Sequence, residues 1–531
     1  MTEPQTDAGA AKVVAAIDIG SNSIRMEVAE VAPDGGIKVL EKLQRTVRIG
    51  QDTFRRGRLT GTTMRAAVSI LRDFRRALGQ YRIERLRAVA TSAVREATNA
   101  DTFLDRIYMA TGLDVEVIPT MEESRVTVSS VLEALRGTVD LSRGQALIAD
   151  VGGGNTLLTV LRQGKIVASQ AARLGAVRLL ESLAIMNESP ERAAAVLRDQ
   201  IRNVLDSVEA SMPLRRIRVM IAVGADARFV AAQIGRAGEG RNVATVPKTG
   251  FRSLVRKCVR HKAEELAARY ELPFADADTL VPALLVYRAL LDDTRAEQII
   301  VPQVSMRDGL ILDLARGGAG AEDETFSDGV VQSALAVAEK YHVDASHATN
   351  VAEMAVRQFD ALQAEHGLSQ RHRLLLRVAA LVHEAGSYVS NRAHHKHGYY
   401  LVLNSEIFGL RREELAMVAL VARYHRRACP KPTHPEYMSL PRDQRMVVSK
   451  LAAMLRVADA LDRRHGQPAR QIRCELAGEE FVIHVAGAAD LSLERRTAEA
   501  KADLFQDVFG LRVRLEPDPA ASADRRAKAV E

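Results

Sequence analysis

The stretch "AAIDIGSNSIRMEVAEV", residues 15–31, places a polar tip between two apolar segments. Such a pattern around Gly and short polar residues predicts two strands joined by a tight turn. Because Gly20 and its short polar neighbours leave several backbone N–H groups accessible, the turn can enclose phosphate oxygens. Asp18, just before it, could hold a magnesium ion through water. We interpret the turn as a phosphate-binding loop; the alternative is a β-turn that needs glycine only for its backbone conformation.

A similar segment recurs later in the chain as "QALIADVGGGNTLLTVLRQGKIVAS", residues 145–169. When Asp150 is aligned with Asp18, the four residues from Gly152 onward fall on the four residues from Gly20 without a gap. An internal duplication accounts for this match. It predicts two related α/β domains that face one another across a cleft, each contributing one loop to a ligand site.

Length and composition narrow the class of protein. The chain has 531 residues, which is too long for one hydrophobic core. It is 47% hydrophobic and 27% charged, and it has no long apolar run and no export signal at its start, so a cytoplasmic protein is expected. The three cysteines lack CxxC spacing and give no zinc signature. The net charge of +7 favours anionic partners, whereas the absence of Trp and an aromatic content of 4% disfavour nucleic acid.

Changes in periodicity divide the chain into segments. Helical spacing at residues 62–79 and 121–135 alternates with predicted strands. The Gly- and acid-rich stretch 315–329 is interpreted as a linker, and almost wholly helical periodicity follows it. The predicted divisions are two α/β domains at 1–137 and 138–314, a helical domain at 325–469, a small α+β unit at 470–515 and a disordered tail at 516–531.

Six motifs carry a resemblance to a known family. In chain order they read "AIDIGSNSIRM", "VATSAVREATN", "EVIPTMEESRV", "LIADVGGGN", "RLGAVRLLE" and "VSMRDGLI". Together they resemble the exopolyphosphatase and guanosine pentaphosphate phosphohydrolase (Ppx/GppA) family, and "RVAALVHEAG" and "ALVARYHRR" resemble the all-α HD-like domain of its long members. The resemblance implies duplicated actin-like, ribonuclease-H-like α/β domains, a magnesium ion, a homodimer, and hydrolytic release of terminal phosphate from polyphosphate or pppGpp.

The resemblance also implies roles for individual residues. Glu123 is the implied catalytic base that activates water, and Asp150 is the implied catalytic and metal-associated aspartate. Asp18 is the second predicted magnesium ligand. The predicted substrate-binding residues are the two loops and two arginines: Gly20, Ser21, Asn22, Ser23, Arg48, Arg95, Gly152, Gly153, Gly154 and Asn155. An alternative for Glu123 is structural, because Thr120 and Glu123 have the spacing of a capping box at a helix start.

Two segments depart from the family pattern. The residues after the three glycines read Asn-Thr-Leu where the family usually has Ser-Thr-Glu, and Leu157 cannot replace a carboxylate. In "IAVGADARFV", residues 221–230, Ala225 and Asp226 occupy the place of a Gly-Gly-Thr-like or Ser-Gly-Thr-like loop. Asp226 would put negative charge where the family often approaches an anion. Weak activity, altered specificity or a purely binding role therefore stay open.

The helical segment raises a second metal question. His347, His383 with Glu384, and Asp459 occupy places comparable to the metal ligands of HD hydrolases, although Glu384 stands where an Asp is usual. The alternative is that these histidines pack in the core, cap helices or face solvent.

Basic residues occur in short runs. One run combines three histidines with two cations: Arg392, His394, His395, Lys396 and His397. Its spacing could bind zinc, but we interpret it as a basic loop that guides anions. Arginines recur as well: Arg45, Arg48, Arg55, Arg56, Arg58, Arg423, Arg426 and Arg427. A groove lined by such residues would bind a long polyanion, which favours an extended substrate over a small monoester.

The sequence therefore predicts a magnesium-dependent exopolyphosphatase that releases terminal phosphate from inorganic polyphosphate with a water nucleophile. A pppGpp 5'-phosphohydrolase is the alternative that uses the same site. A catalytically weak regulator that binds (p)ppGpp or polyphosphate, and a sugar or acetate kinase, are the alternatives from other functional classes.

Overall fold

The computed structural model describes residues 11–183, 188–237, 242–317, 324–426, 428–462, 472–486 and 491–518. The chain forms two compact units, residues 1–325 and residues 326–531. No helix within the described ranges is both long enough and apolar enough to cross a membrane.

The first unit contains two sheets. The first sheet has five strands in the order β3-β2-β1-β4-β5: β1 (Lys12–Ile19), β2 (Ser23–Val31), β3 (Ile37–Thr46), β4 (Ile83–Ala90) and β5 (Val115–Val117). The second has seven strands in the order β10-β11-β12-β9-β6-β7-β8: β6 (Gln145–Val151), β7 (Thr156–Arg162), β8 (Lys165–Ala172), β9 (Val219–Val223), β10 (Arg236–Ala237), β11 (Val243–Pro247) and β12 (Gln298–Pro302). We call the part built on the first sheet the first lobe and the part built on the second sheet the second lobe.

The two sheets repeat one topology, which confirms the predicted duplication. In the first, β1 pairs antiparallel with β2 and parallel with β4. In the second, β6 pairs antiparallel with β7 and parallel with β9. The connecting turns repeat as well: Gly20 N donates to Ser23 O over 3.1 Å, and Gly152 N donates to Asn155 O over 2.9 Å.

Twelve α-helices are described in the first unit. They are α1 (Ile49–Arg56), α2 (Gly61–Leu78), α3 (Ser92–Arg95), α4 (Ala100–Thr111), α5 (Thr120–Leu135), α6 (Ala176–Leu183), α7 (Pro190–Glu209), α8 (Ala225–Ile234), α9 (Lys248–Cys258), α10 (Ala263–Tyr270), α11 (Phe274–Asp293) and α12 (Met306–Ala315). The helices predicted at 62–79 and 121–135 correspond to α2 and α5. Thr60 caps α2, because its side chain accepts a hydrogen bond from Thr63 N.

The first sheet is covered on both faces, so β1 is a nearly continuous buried run. Ala15, Ile17 and Ile19 face a core formed with α2 and α4. The alternate residues Val14 and Ala16 face a smaller apolar cluster that includes residues of α12. Thus α12, which follows the second lobe in the chain, returns to pack on the first sheet.

Helix α5 lies between the lobes. Ser124 Oγ contacts Thr159 Oγ1 at 3.1 Å and Ser169 Oγ at 3.0 Å, both in the second sheet. On its other side, Gly309 of α12 comes so close to Val126 that a Cβ atom there would meet the Val126 backbone. This packing from both sides fixes the start of α5 relative to both loops.

The second unit is mainly helical. Its helices are α13 (Glu324–Lys340), α14 (Ala345–Ala361), α15 (Gln363–His366), α16 (Gln370–Val382), α17 (His394–Leu403), α18 (Arg412–Arg423), α19 (Pro435–Met438), α20 (Arg442–Leu461), α21 (Ser492–Lys501) and α22 (Asp503–Phe509). Its strands, β13 (Ile472–Ala477), β14 (Glu480–Val485) and β15 (Arg512–Pro517), form a three-stranded sheet in that order. Helices and strands share one apolar core, with the C-terminal half of α20 at its centre.

Three local predictions need correction. Helix α13 begins at Glu324, within the stretch predicted as a linker, because Val330 and Val331 anchor it in the core and helical hydrogen bonds extend from that anchor toward its start. Strand β15 extends to Pro517, two residues into the predicted tail, because it pairs with β14. The histidine run beginning at His394 forms helix α17 rather than a loop. Residues 318–323 of the linker, Arg427, and 519–531 of the tail lie outside the described residues.

Candidate functional site

The two predicted phosphate loops line one cleft between the lobes of the first unit. Eleven of the predicted site residues line it: Asp18, Gly20, Ser21, Asn22, Ser23, Glu123, Asp150, Gly152, Gly153, Gly154 and Asn155. Asp18 and Asp150 lie near the carboxyl ends of β1 and β6, where the chain turns back into β2 and β7. Repetition of one strand–turn–strand unit therefore brings two similar turns to opposite walls of the cleft.

The loops approach each other closely enough to require glycine. A Cβ atom at Gly153 would lie 2.8 Å from Ser21 Cβ. One at Gly154 would lie 2.7 Å from Phe54 Cζ and 2.8 Å from Ser92 Cβ, both in the first lobe. The opposite lobe therefore restricts both positions to glycine. A need for accessible backbone N–H groups would be a second, separate reason for glycine.

Polar contacts hold the lobes together around the cleft. Asn22 Nδ2 donates to Asp276 Oδ1 over 3.3 Å. Arg48 Nη2 forms an ion pair with Asp278 Oδ2 at 2.5 Å, so this predicted substrate-binding residue is engaged with the second lobe. In the opposite direction, Arg178 reaches from the second lobe to the first and pairs with Glu96 at 2.5 Å.

Five carboxyl groups line the cleft: Asp18, Glu123, Asp150, Asp226 and Asp276. Burial raises the pKa of Asp18, although Arg25 and Arg307 oppose the shift. Burial also raises the pKa of Asp150 to about 6; Arg228 and a hydrogen bond from Thr127 oppose this rise, and the charge of Asp18 adds to it. Two carboxylates at corresponding strand ends of the two lobes supply oxygen ligands and negative charge, which fits a hard divalent cation such as magnesium.

Glu123 lies in the first turn of α5. Its Oε2 atom accepts from Arg95 Nη1 over 3.4 Å, and Arg95 is itself anchored to Ile118 O over 2.7 Å. Burial raises the pKa of Glu123 to about 7, against the opposing charge of Arg95 and with the support of Asp150 and Asp18. A carboxylate with this pKa is suited to accept a proton near neutral pH.

The capping-box alternative for Glu123 is wrong. Helix α5 begins at Thr120, with Pro119 as its N-cap, and no side chain caps it. The Glu123 backbone N–H donates instead to Pro119 O over 3.0 Å. Thr120 is already helical, so it cannot serve as the cap that this motif requires.

Three arginines in the cleft were not predicted as site residues: Arg25, Arg228 and Arg307. Arg25 lies opposite Asp18 in the β1–β2 register, and their side chains are 3.9 Å apart. Arg307 Nη1 lies 3.6 Å from Asp18 Oδ2. Arg228 belongs to the 221–230 segment that departs from the family pattern, so that segment contributes a cation to the cleft along with Asp226. For Arg307, the available signal in the sequence was its position in the motif "VSMRDGLI".

In the second unit, the structure brings three of the four predicted HD-type residues together. Ligand atoms of His347, His383 and Asp459 all lie within 4.8 Å of one another, and all three side chains are buried. Glu384 is not part of this triad.

Comparison with models of known protein families shows the family of this chain. A model of the Ppx/GppA phosphatase family matches residues 27–317, and a model described as Ppx/GppA phosphatase, domain III, matches residues 331–503. The chain belongs to the Ppx/GppA phosphatase family. Members of this family are phosphatases that hydrolyse phosphoanhydride bonds, which confirms the predicted family and enzyme class.

Two curated relatives of this Ppx/GppA chain carry the same name. A guanosine-5'-triphosphate,3'-diphosphate pyrophosphatase of Aeromonas hydrophila is 28% identical over 402 residues, covering 74% of this chain and 77% of the relative. The protein of that name from Photobacterium profundum is 23% identical over 445 residues, covering 83% of this chain and 84% of the relative.

Solved structures confirm the duplicated actin-like α/β fold. An exopolyphosphatase from Cytophaga hutchinsonii superposes with a TM-score of 0.53 at 22% identity, covering 58% of this chain and 99% of that chain. An exopolyphosphatase-like protein superposes with a TM-score of 0.50 at 22% identity, covering 58% of this chain and 98% of that chain.

Asp226 gives the Ppx/GppA site a testable pH dependence. Burial, with a smaller contribution from Asp276, raises the pKa of Asp226 to about 7. The side chain is therefore mostly neutral below that pH and negatively charged above it, where it repels a phosphate substrate. We expect Asp226→Asn to lower KM on the order of tenfold at about pH 8 and to have little effect at about pH 6.

The measurement is KM for phosphate release at both pH values. Asp199→Asn, an exposed change on α7 in the same lobe, is the matched control and should leave KM unchanged. An Asp226→Asn effect of equal size at both pH values would contradict the ionisation argument.

Proposed function

We propose that this protein is a magnesium-dependent phosphohydrolase that removes the terminal phosphoryl group from inorganic polyphosphate. The observation that carries the proposal is the pair of homologous turns facing one cleft, with the Glu123 carboxylate in the same cleft. Membership of the family identifies the reaction class as hydrolysis of a phosphoanhydride bond. The positions of the side chains in the cleft support the residue roles proposed below.

The two turns bind the end of the phosphate chain. Backbone N–H groups of the glycine-containing loops, together with the Ser21 hydroxyl and the amide of Asn155, donate to phosphate oxygens. Arg25, Arg228 and Arg307 supply positive charge along the same walls. These fixed donors stabilise the charge that spreads over the terminal phosphoryl group in the transition state.

Asp18 and Asp150 are the proposed magnesium ligands. Both are oxygen donors at strand ends, and burial raises the pKa of each, so the folded cleft places acidic groups where a cation would stabilise their ionised forms. A bound magnesium ion would neutralise phosphate charge and orient the terminal phosphoryl group.

Glu123 is the proposed general base. Its carboxylate accepts a proton from water as the water oxygen bonds to the terminal phosphorus, and the bond from that phosphorus to the bridging oxygen breaks. The products are orthophosphate and a chain shortened by one phosphate. Arg95 holds Glu123 Oε2 at 3.4 Å and so orients the carboxylate.

The composition of the cleft favours polyphosphate. Its apolar lining consists of small or aliphatic residues: Val151, Ala176, Val177, Val223, Ala225 and Met306. No aromatic side chain lines this cleft within the described part of the chain, so it offers no ring on which a guanine base could stack. The cleft therefore recognises phosphate groups, and every unit of a polyphosphate chain supplies one.

Hydrolysis of pppGpp is the second candidate, because the curated relatives are named for that type of substrate. The deciding measurement compares kcat/KM for phosphate release from long polyphosphate and from pppGpp, with magnesium and with a chelator. We expect magnesium-dependent release and a higher kcat/KM on polyphosphate. An equal or higher value on pppGpp would replace the first substrate with the second. Tight binding of either compound without release would identify a non-catalytic regulator.

We also propose that the second unit is the HD-like domain implied by the sequence resemblance. The match of the family's domain III to residues 331–503 and the gathering of His347, His383 and Asp459 support this assignment. The homodimer and the cytoplasmic location stay predictions. Light scattering of the purified chain tests the first, and fractionation of cells tests the second.

A further inference from the structure

Four buried histidines form a row in the second unit. They are His347 of α14, His383 directly after α16, His394 at the start of α17 and His425 shortly after α18. Ring centroids are 5.3 Å apart for His347 and His383, 4.9 Å for His383 and His425, and 5.2 Å for His425 and His394. Four separate helical segments therefore direct imidazole rings to one place in the core.

The Nδ1 side of every ring is held by an oxygen acceptor. His383, His394 and His425 each donate Nδ1–H to the carbonyl oxygen three residues earlier, over 2.7, 3.3 and 2.6 Å. His347 donates Nδ1–H to Asp462 Oδ2 over 2.8 Å. Because these oxygens can only accept, the hydrogen of each neutral ring is on Nδ1 and the lone pair is on Nε2.

The Nε2 atoms face other electron-rich atoms. His394 Nε2 and His425 Nε2 are 3.2 Å apart. His383 Nε2 lies 3.8 Å from Asp459 Oδ1 and has no hydrogen-bond partner within the described ranges. His347 Nε2 lies 3.6 Å from the same oxygen. Lone pairs that face one another in a buried space require a cation or additional protons for stability.

We propose that this cluster binds a divalent transition-metal ion. His347, His383 and Asp459 are the core ligands, and His425 and His394 are adjacent nitrogen donors. Ligand atoms of the core lie within 4.8 Å of one another, and a modest inward movement gives the spacing of about 3.4 Å between two ligands of one tetrahedral ion.

The chemistry of the donors selects the class of metal. Imidazole nitrogen suits zinc, iron, nickel and copper, whereas magnesium prefers oxygen ligands. Metal-bound histidines commonly donate their other ring N–H to a carbonyl or carboxylate oxygen, which is the arrangement of all four rings here. The cluster therefore differs in ligand type from the carboxylate cleft of the first unit.

A metal-free arrangement is the competing explanation. Lys501 Nζ forms an ion pair with Asp459 Oδ2, so a second cation already contacts this carboxylate while Oδ1 faces the histidines. In that arrangement, Lys501 and an additional proton on His347 would neutralise Asp459. It predicts no affinity for metal, so metal binding distinguishes the two.

The first test uses the untagged wild-type chain after treatment with a chelator, titrated with Co²⁺ as the probe. We expect one equivalent to bind with imidazole ligands, giving ligand-field absorption in the visible range and imidazole scattering in the X-ray absorption spectrum. Any Co²⁺ bound in the carboxylate cleft of the first unit would have oxygen ligands instead. A second equivalent with imidazole ligands would assign an ion of its own to the His394–His425 pair. A titration without such absorption, or a spectrum with oxygen ligands only, would overturn the proposal.

Variants locate the site. We expect His383→Gln to weaken Co²⁺ affinity by about 100-fold or more, and Asp462→Asn, which alters the partner of His347, to weaken it by about tenfold. His366→Gln is the matched control, because His366 is buried in the same unit but its ring accepts from Leu368 N and contacts Phe359 O, both at 2.8 Å.

Asp150→Asn separates this site from the cleft of the first unit, and it should retain the imidazole-type Co²⁺ spectrum. Circular dichroism establishes that each variant is folded. Wild-type affinity in folded His383→Gln would overturn the proposal. If that variant does not fold, the wild-type X-ray absorption spectrum decides between the two arrangements.

Discussion

Glu123→Gln is expected to lower kcat for phosphate release by about 10³-fold, because the amide cannot accept the proton of the attacking water. The substitution preserves the size of the side chain and can still accept a hydrogen bond from Arg95. Substrate affinity should therefore change little. The measurement is kcat from phosphate release, together with direct binding of a non-hydrolysed phosphate chain to the variant.

The matched control for this prediction is Glu133→Gln on the same helix. Glu133 lies near the far end of α5, is 40% exposed at its side chain and pairs with Arg316. Its replacement should leave kcat at the wild-type value. Retention of activity in Glu123→Gln would contradict its assignment as the base and leave the family and fold unaffected.

Gly154→Ala is expected to lower kcat/KM roughly 10²-fold, because the added methyl group would collide with Phe54 and Ser92 of the opposite lobe. Relief of the collision requires the two loops to separate. The hydrogen-bond donors to phosphate on one wall of the cleft then move away from those on the other wall. Each lobe keeps its own apolar core, so the variant should remain folded. Steady-state kinetics and thermal unfolding measure the two effects separately.

Two variants control for the loss of glycine itself. Gly250→Ala, in helix α9 of the same lobe, places a methyl group at ordinary contact distance from Ile234 and should retain activity. Adding Ser92→Gly to Gly154→Ala removes one colliding group and should restore part of the lost kcat/KM. The collision argument fails if the double variant is no more active than Gly154→Ala.

The two glycine-containing turns could be predicted because their structure is local. Alternating apolar residues specify the flanking strands, and each turn closes by one hydrogen bond between residues three apart. Repetition of Asp18 and its loop at Asp150 then indicates the duplicated architecture. Family motifs added the identity of the fold and the enzyme class.

Glu123 shows where local pattern misleads. Its distance from Thr120 along the chain matches a capping box, yet α5 begins one residue too early for that motif. Its actual partner, Arg95, comes from α3, and packing of α5 against α12 and the second sheet places both groups beside the cleft. Sequence spacing contains no information about such a contact between separate elements.

The 221–230 segment shows that the charge of a site is equally difficult to predict from local sequence. From sequence, Asp226 introduces a negative charge beside the anion. In the folded chain, burial raises the pKa of Asp226 to about 7, and Arg228 lines the same cleft. The electrostatic character of a loop depends on which side chains become buried together, and burial is a property of the whole fold.

Residue periodicity and repeated motifs were sufficient to predict two glycine-containing turns, two α/β lobes and a helical C-terminal region, because strand, turn and helix preferences act over a few neighbouring residues. The convergence of His347, His383, His394 and His425 on one place, and the approach of Gly154 to Ser92, arise only when distant segments pack. Such contacts depend on the summed burial of apolar surface across each unit, which no short stretch of chain contains.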